Sequence, residues 1–233
     1  DIYIYMGYYD GIAYLNDFYK IDTTTFVVTR IVLDGDIIKK YSHSMVAIGH
    51  NIYIYGVYNA AISTIYLNDF YKIDTNNIIS NYEGSSSVSV TTIVLGDAIT
   101  GRIAHSMVAI GDNIYIFGGY NGSIYLNDFY KIDTNNIILD HEGSSNVSVE
   151  KIDLSGDAII ARRYHSMVAI GDNIYIYGGY NDDNYLNDFY KIDTTTYSVE
   201  KIENDVSTTI HRRSHHSMVA IGTDIYIWRI CKC

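Results

Sequence analysis

The chain predicts an all-β fold, a propeller of four four-stranded antiparallel blades plus a partial fifth unit, and three observations predict it. The string HSMVAIG begins at His43, His105, His165 and His216, at spacings of 62, 60 and 51 residues, and repeats of this period build propellers or solenoids. The nonamer YLNDFYKID stands at 14–22, 66–74, 125–133 and 185–193. With 25 Tyr, no Pro and abundant Ile, Val and Thr, the composition favours residues that fit a pleated, half-buried surface. The Ile, Tyr, Asn, Asp and Lys bias also suits an AT-rich genome, which tempers any reading of the tyrosines as a binding surface.

Each unit reads as four strands, a to d. Strand a is HSMVAIG, and its small residues, Ser106, Ala109 and Gly111 in one copy, suit an innermost strand crowded at a central axis. The a–b link, such as Gly111-Asp112-Asn113, tolerates the positive φ that tight hairpins need. Strand b alternates Ile114 and Ile116 with Tyr115 and Phe117, apolar on both faces, as expected for a sheet packed between two neighbours. Strand c is the nonamer. Its Asn68-Asp69 pair and the copies at Asp128 and Asp188 are expected to open the strand with a side-chain-to-backbone turn, while Asp74, Asp133 and Asp193 close it. Strand d is the β-branched stretch that follows. The units fall at about 1–34, 43–95, 105–154 and 165–203, with a partial unit at 216–230, all in one domain, 1–233.

The repeat resembles the kelch family. The matching residues are Gly118-Gly119 and Gly178-Gly179 after strand b, and Tyr130, Asp133, Tyr190 and Asp193 in strand c. A basic residue also stands three before the strand-a histidine, at Lys40, Arg102, Arg162 and Arg213. The likeness covers nearly the whole chain in four ordered copies. It departs at Gly56-Val57 and Met6-Gly7, and in lacking the Trp of strand d, where Phe26 and Tyr197 stand in two units and Val88 and Val147 align in the others. The outer strands of blades 2 and 3 are therefore expected to pack less well. Those units also carry ten extra residues each between strands c and d, expected to be solvated loops.

The chain starts and stops inside a strand b, which suggests part of a larger propeller. The tail Trp228-Arg229-Ile230 is what TAT-GGA-GGA-TAT encodes when read two bases late, so a frameshift near Ile227 is expected. Cys231 and Cys233 are the only cysteines, which points to a reducing, cytoplasmic setting. They stand too close together for a zinc site. No signal peptide or membrane-length apolar run is present. The net charge of −11, from 16 basic and 27 acidic residues, argues against nucleic acid and anionic membranes as partners. Eight of those acidic residues lie inside the repeated nonamer.

Catalysis needs an asymmetric constellation, whereas the conspicuous His, Asp and Tyr recur in every blade. His43, His105, His165 and His216 are expected to be structural, hydrogen-bonded to a neighbouring blade, and no metal or cofactor is expected. The loops are more informative, because in this meander the d–a and b–c loops share one face. The d–a loops hold Lys39, Lys40, Arg102, Arg162, Arg163, Arg212 and Arg213, five of the seven arginines of an acidic chain. The b–c loops add Tyr8, Tyr58, Tyr120 and Tyr180 with Asn59, Asn121 and Asn181. Arg and Tyr are enriched at binding hot spots, and Arg captures carboxylates bidentately. The repeated Arg102, Arg162 and Arg213 have an alternative structural use, pairing with backbone or Asp between blades.

The resemblance implies a non-catalytic recruiting or scaffold propeller, and the loop arginines and tyrosines lead to the expectation that it binds an acidic protein or peptide across that face. Its rivals are a kelch-like enzyme of the copper oxidase or sugar epimerase type, and a gene fragment with no function of its own.

Overall fold

The computed structural model describes residues 1–5, 8–9, 13–14, 17–35, 42–59, 65–80, 85–139, 145–182, 184–203 and 210–228. Blade 2 has strands a Ser44–Ile48, b Asn51–Asn59, c Ile65–Asp74 and d Ser86–Val94. Blade 3 has a Ser106–Ile110, b Asn113–Tyr120, c Tyr125–Asp133 and d Val149–Ile152. Blade 4 has a Ser166–Ile170, b Asn173–Asn181, c Asn184–Asp193 and d Ser198–Lys201. The first unit supplies b Ile2–Tyr5, c Phe18–Ile21 and d Val28–Asp34, and the last supplies a Ser217–Ile221 and b Asp224–Trp228. Within each blade neighbours pair antiparallel in the order a-b-c-d. This is the β-propeller that the repeat period predicts. Among the described residues no helix is long and apolar enough to cross a membrane.

The core is a series of seams between blades. Ile114 and Ile116 of blade 3 face Tyr53, Tyr55 and Phe70 of blade 2, whereas Tyr115 and Phe117 on the opposite face meet Met167, Ile174 and Ile176 of blade 4. A strand b apolar on both faces therefore feeds two seams at once. Each fully buried Ile or Phe contributes about 1.5–3 kcal/mol.

Successive a strands are stitched together at the axis. The backbone N–H groups of Ala104, Tyr164 and His215 donate to the carbonyls of Ser42, Ala104 and Tyr164 in turn, at 3.1, 2.8 and 3.1 Å. Ser44 and Ser106 donate their hydroxyls to the carbonyls of His105 and His165, at 2.9 and 2.7 Å. Small polar side chains at this strand let neighbouring backbones come within hydrogen-bond reach, which is why Ser follows His in each repeat.

The outer rim departs from expectation. Val88 and Val147 are 2% and 8% exposed, while Phe26 is 78% exposed. A turn closed by Phe26 N–H to the Asp22 carbonyl holds Phe26 at φ 58°, and Tyr197, in the same turn of blade 4 at φ 56°, packs against the core instead. The outer strands of blades 2 and 3 are thus well packed, and the inserted segments explain how. Ile79–Ser80 pairs with Ser86–Ser87, and Ile138–Leu139 pairs with Ser145–Asn146. Ser145–Asn146 then lies parallel to Ile93–Val94 of the preceding blade. Strand d of blade 2 itself runs parallel to Ile31–Asp34 of blade 1 through Ser86–Ser89. Rather than solvated loops, the described parts of the insertions weave the rims of adjacent blades together. Their centres, 81–84 and 140–144, lie outside the described residues.

Candidate functional site

The site is built on two arginines that cannot themselves reach a partner. Arg102 and Arg162 are 0% exposed. Arg162 donates through Nη1 and Nη2 to the two carboxylate oxygens of Asp188 at 2.6 and 2.7 Å, through Nη1 to the Gly178 carbonyl at 2.9 Å and through Nε to the Ile160 carbonyl at 2.9 Å. Arg102 repeats the pattern with Asp128, Gly118 and Thr100. Burial works against the Arg102 charge, but the Asp128 carboxylate outweighs it and raises the guanidinium pKa. The Arg162 backbone also holds the preceding blade: Gly119 N–H donates to its carbonyl at 2.8 Å, and its own N–H to the Leu126 carbonyl at 3.0 Å.

This contact explains the glycine pair. Gly118 and Gly119 sit at φ 64° and 103°, and a Cβ on them would come within 2.9 Å of the Arg162 carbonyl oxygen and 2.7 Å of the Ile103 carbonyl oxygen. In blade 2 only the first position, Gly56 at φ 75°, keeps the requirement, since a Cβ there would stand 2.7 Å from the Arg102 carbonyl oxygen. Val57 occupies the second.

Arg102 and Arg162 therefore leave the set of candidate contact residues and become rivets between blades. Asp128 and Asp188 likewise are not turn formers. Asn68, expected in the same turn, sends its amide to the Gly96 carbonyl at 3.0 Å. The turn-forming role belongs to the end of strand c, where Asp74 and Asp133 each accept from a backbone N–H two residues on at 3.0 Å.

Arg163, the residue beside the rivet, is placed differently. Its backbone pairs with Tyr180, at 3.1 and 2.8 Å in the two directions, so the d–a segment and the end of strand b lie side by side. Its guanidinium carbon stands 5.1 Å from the ring centres of Tyr120 and Tyr164, 5.3 Å from Tyr125 and 5.5 Å from Tyr180. Ring faces carry negative quadrupole charge, so such a box holds a cation firmly. Among the described residues no acceptor takes a hydrogen bond from this side chain, and its Nε is buried.

The rings around it continue as a ladder. Tyr66–Tyr120, Tyr120–Tyr125, Tyr125–Tyr180 and Tyr180–Tyr185 have centroids 5.8, 5.3, 6.1 and 5.3 Å apart, running across blades 2 to 4. Tyr66, Tyr125 and Tyr185 were hidden in sequence because each opens the repeated nonamer. Their alternation with Tyr120 and Tyr180 depends on neighbouring blades meeting.

A family model described as the KLHDC2/KLHL20/DRC7 Kelch-repeats domain matches residues 81–230, more than half of the chain. The chain belongs to the kelch-repeat family. It is 28% identical over 198 residues to Kelch domain-containing protein 3 of Bos taurus, covering 82% of this chain and 48% of that protein. Tip elongation aberrant protein 1 of Schizosaccharomyces pombe is 24% identical over 192 residues, 82% of this chain and 16% of that protein. A 138-residue match, 30% identical, joins 59% of this chain to 35% of N-(sulfonatooxy)prop-2-enimidothioate sulfolyase of Thlaspi arvense. The chain thus spans less than half the length of these curated relatives.

The remaining candidate residues fall as follows. Arg212 is exposed and lines a cleft of about 580 Å³ with Asp182, Asn184, Tyr185 and Lys201. Arg213 donates from Nε to the His211 carbonyl at 2.9 Å. Asn121 accepts two backbone N–H groups within its own turn, and Asn181 donates to the Ala161 carbonyl. Tyr58 and Asn59 are described only as backbone paired with Tyr66 and Ile65, and Tyr8 only as backbone paired with Tyr14. Lys39 and Lys40 lie outside the described residues.

The strand-a histidines are wedged between blades. His105 meets the Tyr55 ring edge-on at 5.0 Å, and His165 meets Phe117 at 5.4 Å. Neither His105 nitrogen has a hydrogen-bond partner among the described residues, so the expected bond to a neighbouring blade is replaced there by ring packing. Burial, then the nearby Arg102 or Arg162 charge and neighbouring histidines, lowers the pKa of His105 and His165 well below the ordinary value. Among the described residues no three His, Cys, Asp or Glu side chains are grouped to hold a metal ion.

Proposed function

We propose that this kelch propeller is a non-catalytic, cytoplasmic interaction module that binds an acidic protein or peptide across the face formed by its d–a and b–c loops. The observation that carries the reading is Arg163. Its guanidinium already stands among four tyrosine rings, so less side-chain entropy remains to be lost when a carboxylate arrives. In an acidic chain it has no carboxylate partner among the described residues, which leaves its charge for a ligand. Arg212 supplies a second, exposed cation one unit further on, and the tyrosine ladder adds broad contact area of the kind found at hot spots.

The test is affinity capture of partners with the native chain, followed by binding measurements on Arg163→Glu with Arg212→Glu. Affinity is expected to fall by about a hundredfold, two desolvated charge contacts at about 1.4 kcal/mol or more each, and to weaken with added salt in the native chain. Arg212→Glu alone, on an exposed residue, guards against misfolding of the double variant and should give part of the loss. Unchanged binding to every captured partner sinks the reading.

A further inference from the structure

Asn121 precedes Gly122, and no other asparagine in the chain precedes a glycine. Its side-chain oxygen accepts the N–H groups of Ser123 and Ile124 at 3.0 and 2.9 Å, closing a turn that folds the side-chain carbonyl back over the Gly122 peptide. Among the described residues nothing accepts a hydrogen bond from the Asn121 amide nitrogen. Gly122 is exposed, at φ 96°, with no Cβ to shield its nitrogen.

We propose that Asn121 is a self-modifying position, converting to aspartate and isoaspartate through a cyclic imide. The Gly122 nitrogen bonds to Cγ of Asn121 and gives up its proton. The side-chain amide nitrogen takes that proton and leaves as ammonia. One water then opens the five-membered succinimide at either carbonyl. The two N–H groups already point at the oxygen that becomes negative as the Gly122 nitrogen adds, which is the arrangement that stabilises an oxyanion.

Blade 4 provides a built-in comparison. Asn181 stands at the same place after strand b, but its amide nitrogen donates to the Ala161 carbonyl, which tethers the leaving group, and Asp182 follows it instead of glycine. The polarity of the hydrogen bonding is reversed between the two sites. Conversion at Asn121 places a carboxylate beside Tyr120, whose ring lies 5.1 Å from the Arg163 guanidinium. The isoaspartate form also lengthens the turn that joins Tyr120 to Tyr125.

The experiment incubates the native chain, the same chain unfolded in urea, and the Asp182→Gly variant at mildly alkaline pH, and maps each asparagine by peptide mass and isoaspartate-specific methylation. Asn121 is expected to convert in the native chain about tenfold faster than in the unfolded chain, a share of what aligned oxyanion donors supply, and to yield isoaspartate as well as aspartate. Asp182→Gly creates a second Asn-Gly pair at a residue already at φ 39°, where glycine fits, and Asn181 should still lag behind Asn121. Slower conversion in the native than in the unfolded chain, aspartate without isoaspartate, or equal rates at Asn181 and Asn121 would each overturn the proposal.

Discussion

Two adjacent arginines in the segment leading into blade 4 have opposite fates. Arg162 points inward to Asp188 and Gly178, and Arg163 points into a box of tyrosines on the loop face. Removing Arg162 leaves Asp188, with a side chain 13% exposed, as an unpaired and largely buried charge. Arg162→Met is therefore expected to cost about 3–5 kcal/mol, read as a shift in the denaturant midpoint. Arg163→Met leaves no carboxylate unpaired among the described residues and gives up a cation–ring interaction worth about 1–2 kcal/mol in all, so it should fold. If the two variants unfold together, the rivet account is wrong.

The strands of the propeller were legible element by element, because a two-sided apolar strand b and a Gly-Asp-Asn turn depend on local chemistry. The outer rim was not. Aligning Phe26, Val88, Val147 and Tyr197 suggested that the aromatic residues anchor strand d, yet Phe26 is exposed and Val88 is buried against Ile54, Tyr71 and Ile73. Phe26→Ser should accordingly leave stability within about 0.5 kcal/mol. Val88→Ala should cost about 2 kcal/mol, two methyl-sized groups at about 0.8 each plus a small cavity. Thermal unfolding of both variants distinguishes the two assignments. The glycine pair is a second element-scale test: Gly118→Ala puts a Cβ within 2.9 Å of the Arg162 carbonyl at φ 64°, a strain of about 1–3 kcal/mol.

At the scale of the molecule, the blades are held by seams, and each seam encloses a strand-a histidine. His105 and His165 are buried with pKa values well below the ordinary one, so the folded chain keeps them neutral while the unfolded chain protonates them near pH 6.5. The unfolded state then binds more protons, and stability falls as the pH drops below about 6.5. The slope is about 1.4 kcal/mol per pH unit for each such histidine. Urea midpoints measured from pH 7.5 to 5 should fall accordingly, and His105→Phe should flatten the profile. A native profile that is level across this range would mean that the imidazoles are hydrated or paired in solution.

Repetition in the sequence was enough to determine the architecture. The same strings in the same order dictate the same four-stranded sheet, because hairpin turns and two-sided strands are encoded within a few neighbouring residues. The loop face was partly visible too, as arginines and tyrosines collected at corresponding points of each unit. Only the tertiary structure separated Arg162 from Arg163, since which side of the chain meets Asp188 and which meets Tyr120 and Tyr125 depends on how one blade lies against the next. The same holds for Tyr66 to Tyr185: residues in different units become one ladder only when the sheets pack, and no local pattern records a contact made across a seam.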